Sequence, residues 1–231
     1  MTAGVAPARE KASDARLAAA ARTATVVLLV AMLAPAAIAL RDELSVWRMR
    51  EVQRAQEATR LTAVLAPWDG NDADSIPPRA AMIRALVEAR LAFAAETPAR
   101  RSILIANAHK YLDRALAARP RWGEARVVQT YLAFVDKGPG SPEAHDAFGQ
   151  SYIADAFLPQ SGSWRVRFGI DQWGQIDAVL RNRVVEEAAW LASLSPANEA
   201  AILEAVRPNP EAMRALREAR QAYAALFSEP S

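Results

Sequence analysis

Residues 108–120 read AHKYLDRALAARP and combine small side chains at helical spacing with one large apolar residue and a closing proline. Ala108 and Ala115 are small enough for a second helix to approach closely, and Leu112 between them can fill the groove between two helices. Pro120 lacks a backbone N–H, so it stops the helix. The pattern predicts one arm of a helix–turn–helix hairpin.

Helix-start signals recur along the rest of the chain. An N-cap residue stands before a proline suited to the first helical position at Thr97-Pro98, Ser141-Pro142, Ser195-Pro196 and Asn209-Pro210. Between these starts, apolar residues recur every three or four positions, and strand-like alternation is nowhere sustained. We therefore predict an all-α domain over residues 79–231.

The 108–120 spacing resembles the second helix of a tetratricopeptide repeat, and Trp122 to Phe134 would form the first helix of the following unit. Other segments do not keep the repeat period of that family. The resemblance implies stacked helical hairpins with a concave surface for peptides or proteins. The predicted fold is an irregular tetratricopeptide-like helical-hairpin domain that follows an N-terminal membrane helix.

The membrane helix is predicted from residues 23–40, which read TATVVLLVAMLAPAAIAL and carry no charged side chain. As a helix they would span roughly 27 Å, close to the ~30 Å hydrocarbon core of a bilayer. We expect a single transmembrane anchor, with residues 1–22 as a cytoplasmic tail. Ala37-Ile38-Ala39 has the small-x-small form that signal peptidase cuts, so a cleaved signal peptide is an alternative, and a buried helix of a soluble domain is a third.

The predicted side of the membrane for the C-terminal domain follows from the length of that domain rather than from a count of charges. Lys and Arg flank both ends of the uncharged run, so the positive-inside rule gives no clear asymmetry. A long following domain translocates largely regardless of its charge. We therefore expect a single-pass inner-membrane protein with a periplasmic C-terminal domain, which a juxtamembrane helix and linker at residues 41–78 connect to the membrane.

Composition argues against several functional classes. The chain has 28 Lys and Arg against 26 Asp and Glu, and residues 1–22 account for the net charge of +2. The main domain is neutral and lacks the clustered basic charge of a nucleic-acid interface. There is no cysteine, His109 and His145 lie in different segments, and no phosphate-binding glycine loop or serine nucleophile elbow is present. We expect no catalytic residues, metal or cofactor, and no enzyme activity.

The most distinctive run is residues 158–173, LPQSGSWRVRFGIDQW. Its last ten residues hold three aromatic side chains and two arginines. On a helix that starts near Ser163, Trp164 and Phe168 share a face because they are four residues apart. Gly174 breaks this helix, and Asp177 can cap the next one.

This run admits two interpretations. In the first, its aromatic residues join two helices into a core, with arginines stacked over indoles or paired to Glu186 and Glu187. In the second, they form a platform for a protein partner or a sugar. The candidate binding residues are Trp164, Arg165, Arg167, Phe168, Trp173 and Trp190.

Residues 158–194 resemble the C-terminal part of the VpsP-type accessory proteins of bacterial polysaccharide biosynthesis. The matching residues are Ser161, Gly162, Trp164, Arg165, Phe168, Trp173, Arg183, Glu187 and Trp190. The resemblance implies an inner-membrane accessory role in making or exporting an exopolysaccharide, and it implies no catalytic residues. Together with the helical hairpins it favours a membrane-anchored scaffold for protein partners of an envelope polysaccharide pathway. The alternatives are a carbohydrate-binding module built on Trp164, Arg165 and Trp173, and an enzyme whose carboxylates come from distant segments.

Overall fold

The computed structural model describes residues 39–40, 43–44 and 76–226, with side chains described through residue 222. Between residues 76 and 226 the chain forms eight helices and no strand. The helices are Pro78–Phe93 (α1), Pro98–Ala118 (α2), Gly123–Lys137 (α3), Pro142–Ala154 (α4), Gly162–Asp171 (α5), Ala178–Leu194 (α6), Pro196–Val206 (α7) and Pro210–Leu226 (α8). The predicted all-α class is confirmed for this part of the chain.

Contacts divide the chain into two units, Met1–Arg48 and Met49–Ser231, and α1 to α8 belong to the second. The described residues do not include the predicted tail at residues 1–22, the uncharged run before Ala39, or residues 41–42 and 45–75 of the predicted juxtamembrane helix and linker. Within the part that is described, no helix combines the length and the apolar character needed to cross a bilayer.

The helices begin with the chemistry that the sequence predicts. The side chains of Thr97, Ser141, Ser195 and Asn209 each accept a hydrogen bond from the backbone N–H three residues later, at 3.3, 3.2, 3.2 and 3.0 Å. A proline follows each of these caps as the first helical residue. Asp177 caps α6 in the same way, at 2.8 Å. Each cap satisfies a backbone donor that the first helical turn leaves free.

The first four helices pack as two hairpins. α1 packs mainly on α2 and α3 mainly on α4, while α3 also contacts both α1 and α2. On α2 the residues Ala108, Leu112 and Ala115 are all buried, as their small–large–small spacing predicts. This hairpin packing is consistent with a tetratricopeptide-like arrangement.

The C-terminal half departs from paired hairpins. α6 contacts α5, α7 and α8, and α5 also contacts α7. α5 has only 10 residues, so it is shorter than the helices of the first two hairpins. One apolar core extends from α4 to α8, and its larger buried members include Phe148, Val166, Phe168, Trp173, Val184, Leu191, Ile202 and Leu216.

Candidate functional site

The structure divides the candidate binding residues between core and surface. Arg165 is fully buried, and Phe168 and Trp173 are only 5% and 6% exposed. Trp164 is half-buried and Arg167 is exposed. The predicted binding platform is therefore corrected at Arg165, Phe168 and Trp173, because packing inside the core keeps these side chains from touching a ligand.

Trp190, the remaining candidate, is half-buried on α6. Its ring lies against Phe157, with the centroids 5.2 Å apart. Leu194, one turn further along α6, is exposed. Trp190 therefore belongs to a small apolar patch at the edge of the core, on a different side of α6 from the buried Leu191.

Arg165 donates all of its N–H groups to acceptors within the protein. Its Nε donates to Glu187 Oε2 at 2.7 Å, and its Nη2 donates to Glu187 Oε1. The other donors reach the backbone carbonyl oxygens of Ser151 at 3.1 Å, Asp155 at 2.8 Å and Ala156 at 2.9 Å. Because a guanidinium has five N–H donors, none is left for a ligand.

Glu187 is saturated in the same way. Its Oε1 also accepts from the backbone N–H of Leu158 at 2.9 Å, and its Oε2 accepts from the Tyr152 hydroxyl at 2.8 Å. The Tyr152 ring centroid lies 3.9 Å from the guanidinium carbon of Arg165. Glu187 is fully buried, so neither carboxylate oxygen is open to a substrate. The sequence interpretation that pairs an arginine of this run with Glu187 is confirmed.

This network joins the end of α4, the following loop, α5 and α6. Isolated buried charges cost several kcal/mol each, and a buried pair persists when additional hydrogen bonds satisfy its remaining donors and acceptors. Here Glu187 also accepts from the Leu158 N–H, and Arg165 donates to the carbonyl oxygens of Asp155 and Ala156 and shares that of Ser151 with the Asp155 N–H. Removing one charge would therefore leave the other buried without its partner.

Glycines make room for this network at two helix starts. A Cβ on Gly162, the first residue of α5, would lie 2.9 Å from Glu187 Oε1 and 3.1 Å from Leu191 Cδ1. A Cβ on Gly123, the first residue of α3, would lie 2.5 Å from the Cβ of Asp155. Both helix starts thus approach the network more closely than a residue with a side chain would allow.

The ionisation of the Tyr152 hydroxyl makes the stability of the folded protein depend on pH. Burial, followed by the charge of Glu187, raises the pKa of the Tyr152 hydroxyl well above its ordinary value of 10.0. On unfolding the hydroxyl regains that ordinary pKa. Stability from the neutral hydroxyl is therefore present below pH 10 and is lost as the pH rises above it, because only the unfolded chain then releases the proton.

We expect urea denaturation between about pH 8.5 and about pH 11 to show a falling free energy of unfolding in the wild-type chain. In Tyr152→Phe the slope should be shallower, because this hydroxyl no longer ionises. The test compares how steeply the free energy of unfolding falls with pH in the two proteins. A pH-independent loss of stability from the missing hydrogen bond to Glu187 does not change that slope. Equal slopes in the two proteins would contradict a raised pKa of the Tyr152 hydroxyl in the folded protein.

Four aromatic side chains from three helices form a row that retains surface exposure. We call this row, Phe93, Tyr131, Phe134 and Trp164, the aromatic face. Ring centroids lie 6.0 Å apart for Phe93 and Phe134, 6.0 Å for Tyr131 and Phe134, and 5.6 Å for Tyr131 and Trp164. Phe93 is 62% exposed, and the other three are half-buried. The inner end of the row continues into the core, where Trp164 stacks on Phe168 at 5.4 Å.

Basic residues lie next to the aromatic face. Burial raises the pKa of the Tyr131 hydroxyl, while the nearby positive charge of Arg90 lowers it. Arg167 is exposed and follows Trp164 by three residues on α5, so it lies on the neighbouring part of the same helix surface. The face therefore combines partly exposed apolar rings with nearby positive charge.

Among the described residues, no group of three or more His, Cys, Asp or Glu side chains could hold a metal ion. No family model matches the chain, and no match was found among curated proteins or solved structures.

Proposed function

We propose that the chain is a non-catalytic helical-hairpin scaffold that docks a protein partner on the aromatic face. The observation that carries this proposal is the continuous row of partly exposed rings contributed by α1, α3 and α5. Aromatic anchors supply much of the binding energy at protein interfaces, and contiguous exposed apolar surface marks such sites. Trp164 fits the role of anchor best, because its ring stacks on the buried ring of Phe168 and is held in place by it.

We infer that the partner segment presents apolar side chains flanked by acidic residues. Arg167 is exposed and follows the half-buried Trp164 by three residues on α5. Its guanidinium group is thus about one helical turn from that ring. Charges at the edge of an apolar contact select partners of opposite sign and speed their association.

We also propose the cellular setting that the sequence predicts, a membrane-anchored protein whose periplasmic domain serves exopolysaccharide biosynthesis or export. This part of the proposal rests on the resemblance of residues 158–194 to the VpsP-type proteins and on the uncharged run at residues 23–40. The matching residues include Arg165 and Glu187, which form the buried network, and Gly162, which lies against Glu187. The resemblance is therefore carried by residues that build the fold.

Site-specific photocrosslinking in the source cells tests the docking surface. With benzoylphenylalanine in place of Phe93 or Tyr131 in the full-length chain, we expect one protein to be crosslinked. With the same group in place of Val179, which is 71% exposed on α6, we expect no product. Equal products from both locations would contradict docking on the aromatic face.

The crosslinked protein, once purified, allows an affinity test. Phe93→Ser should weaken its binding about tenfold or more, since loss of an interface aromatic anchor typically has this effect. The matched control, Val179→Ser, also replaces an exposed apolar residue with serine and should leave the Kd unchanged. A Kd that Phe93→Ser does not alter would refute the proposed surface.

A further inference from the structure

We propose that the turn between α2 and α3 binds a carboxylate-bearing sugar, the uronic-acid unit of an acidic glycan. The turn consists of Arg119, Pro120, Arg121 and Trp122, and these four residues line a shallow depression of about 500 Å³. The residues are separate from those of the aromatic face, so this inference does not depend on the proposed docking of a protein.

The backbone of the turn is held in one shape. The N–H of Trp122 donates to the carbonyl oxygen of Arg119 at 3.2 Å. The Nε and Nη2 of Arg126 donate to the carbonyl oxygen of Pro120 at 3.3 and 3.0 Å, and its Nη1 donates to Gln129 at 2.8 Å. A binding surface that is already ordered loses less conformational entropy when a ligand binds.

Two guanidinium groups at the depression are available to an anion. Arg119 and Arg121 are both exposed, and neither side chain forms an ion pair or a hydrogen bond within the described part of the chain. The guanidinium carbon of Arg119 lies 5.2 Å from the indole centroid of Trp122. The neighbouring acids Glu124 and Asp155 do not line the depression. A guanidinium in this state can bind a carboxylate through two parallel N–H···O bonds.

The surface of the depression is mainly carbon, because the Pro120 ring and the half-buried indole of Trp122 contribute to it. One face of a sugar ring consists of C–H groups and can stack on an indole. A free inorganic anion would use the arginines without the indole, and a neutral sugar would use the indole without the arginines. A sugar ring that bears an anionic group uses both, and a carboxylate matches the planar fork of a guanidinium, so the depression points to a uronic acid.

Titration of the full-length chain with an oligogalacturonate of about six units tests the site. We expect saturable binding by calorimetry and a shift of the Trp122 indole N–H signal in the NMR spectrum. Arg119→Gln combined with Arg121→Gln should weaken binding about tenfold or more, because two charge-assisted hydrogen-bonding groups are lost. The control Arg214→Gln changes an exposed arginine on α8 and should bind like the wild type.

The methyl ester of the same oligosaccharide keeps the ring and removes the charge, so we expect it not to bind. Equal binding of the ester, equal weakening by Arg214→Gln, or no saturable binding of the oligogalacturonate would each overturn the proposal. Equally tight, Arg121-dependent binding of an oligoglutamate would overturn the sugar assignment in favour of an acidic peptide. Phe93→Ser should leave oligogalacturonate binding unchanged, which separates this test from that of the docking surface.

Discussion

Arg165→Met should lower the free energy of unfolding by about 3–5 kcal/mol, because it leaves a buried carboxylate without its counter-ion. Glu187 is fully buried and would keep only its hydrogen bonds from the Tyr152 hydroxyl and the Leu158 N–H. Methionine preserves much of the aliphatic volume, so the loss would reflect charge and hydrogen bonding rather than a cavity. Urea denaturation followed by circular dichroism measures it.

The same substitution at Arg183 provides a matched control on α6. Arg183 pairs with Glu186 at 3.2 Å, and both side chains are about half exposed. Such surface pairs are worth about 0–1 kcal/mol, so Arg183→Met should change stability little. Similar losses at Arg165 and Arg183 would mean that the buried network stabilises the fold no more than a surface pair does.

Removing both charges should not restore full stability. In Arg165→Met combined with Glu187→Leu, the carbonyl oxygens of Asp155 and Ala156 would lose Arg165 as their donor, whereas that of Ser151 keeps the Asp155 N–H. Unsatisfied buried polar groups cost about 1–3 kcal/mol each. We therefore expect the double variant to lie between Arg165→Met and the wild type, and full recovery would show that these backbone contacts contribute nothing.

Gly169→Ala should destabilise the protein by about 1–3 kcal/mol, because the added methyl group overfills the contact between α5 and α6. Its Cβ would lie 2.5 Å from Val184 Cγ2 and 3.0 Å from Phe148 Cζ. Both neighbours are fully buried and have no free volume to move into. The expected result is a lower midpoint of urea denaturation.

Gly149→Ala makes the same substitution in the interior of α4 and should change the free energy of unfolding in the opposite direction. No atom lies within 4 Å of a Cβ at this position. Alanine restricts the unfolded chain more than glycine does, so the free energy of unfolding should rise by about 0.5–1 kcal/mol. If both variants shift stability in the same direction, close packing does not explain the glycine at position 169.

Helix starts could be predicted from the sequence because their chemistry is local. Ser141 and Asp177 each bind a backbone N–H three residues away, and the adjacent residues suffice to recognise such a cap. The same holds for Trp164 and Phe168, whose spacing of four residues places them on one helix face and whose rings are stacked. These predictions required no knowledge of tertiary structure.

The site could not be predicted in the same way, because it depends on how helices rotate against one another. Glu186 and Glu187 are adjacent, and their side chains diverge by about 100° on a helix. The sequence therefore names both as partners for an arginine, whereas packing of α6 on α5 places only Glu187 in the core. The same packing buries Trp173, which an exposed platform would have required at the surface.

The two candidate surfaces differ in how far the sequence could have indicated them. The aromatic face brings Phe93 together with Tyr131 and Trp164, and no local pattern connects residues so far apart. The turn at residues 119–122 did carry a local signal. Two arginines beside a proline and a tryptophan, directly after a predicted helix end, present charge and an aromatic ring on a constrained backbone.

The hydrogen bonds from Arg165 to the end of α4 also bear on how this half of the protein folds. The chain is synthesised from its N-terminus, so α4 and Arg165 leave the ribosome before Glu187 does. Until Glu187 follows, the guanidinium that binds the carbonyl oxygens of Ser151 and Asp155 has no carboxylate to neutralise it. The segments from α4 to α6 must therefore become stable together, as one cooperative unit.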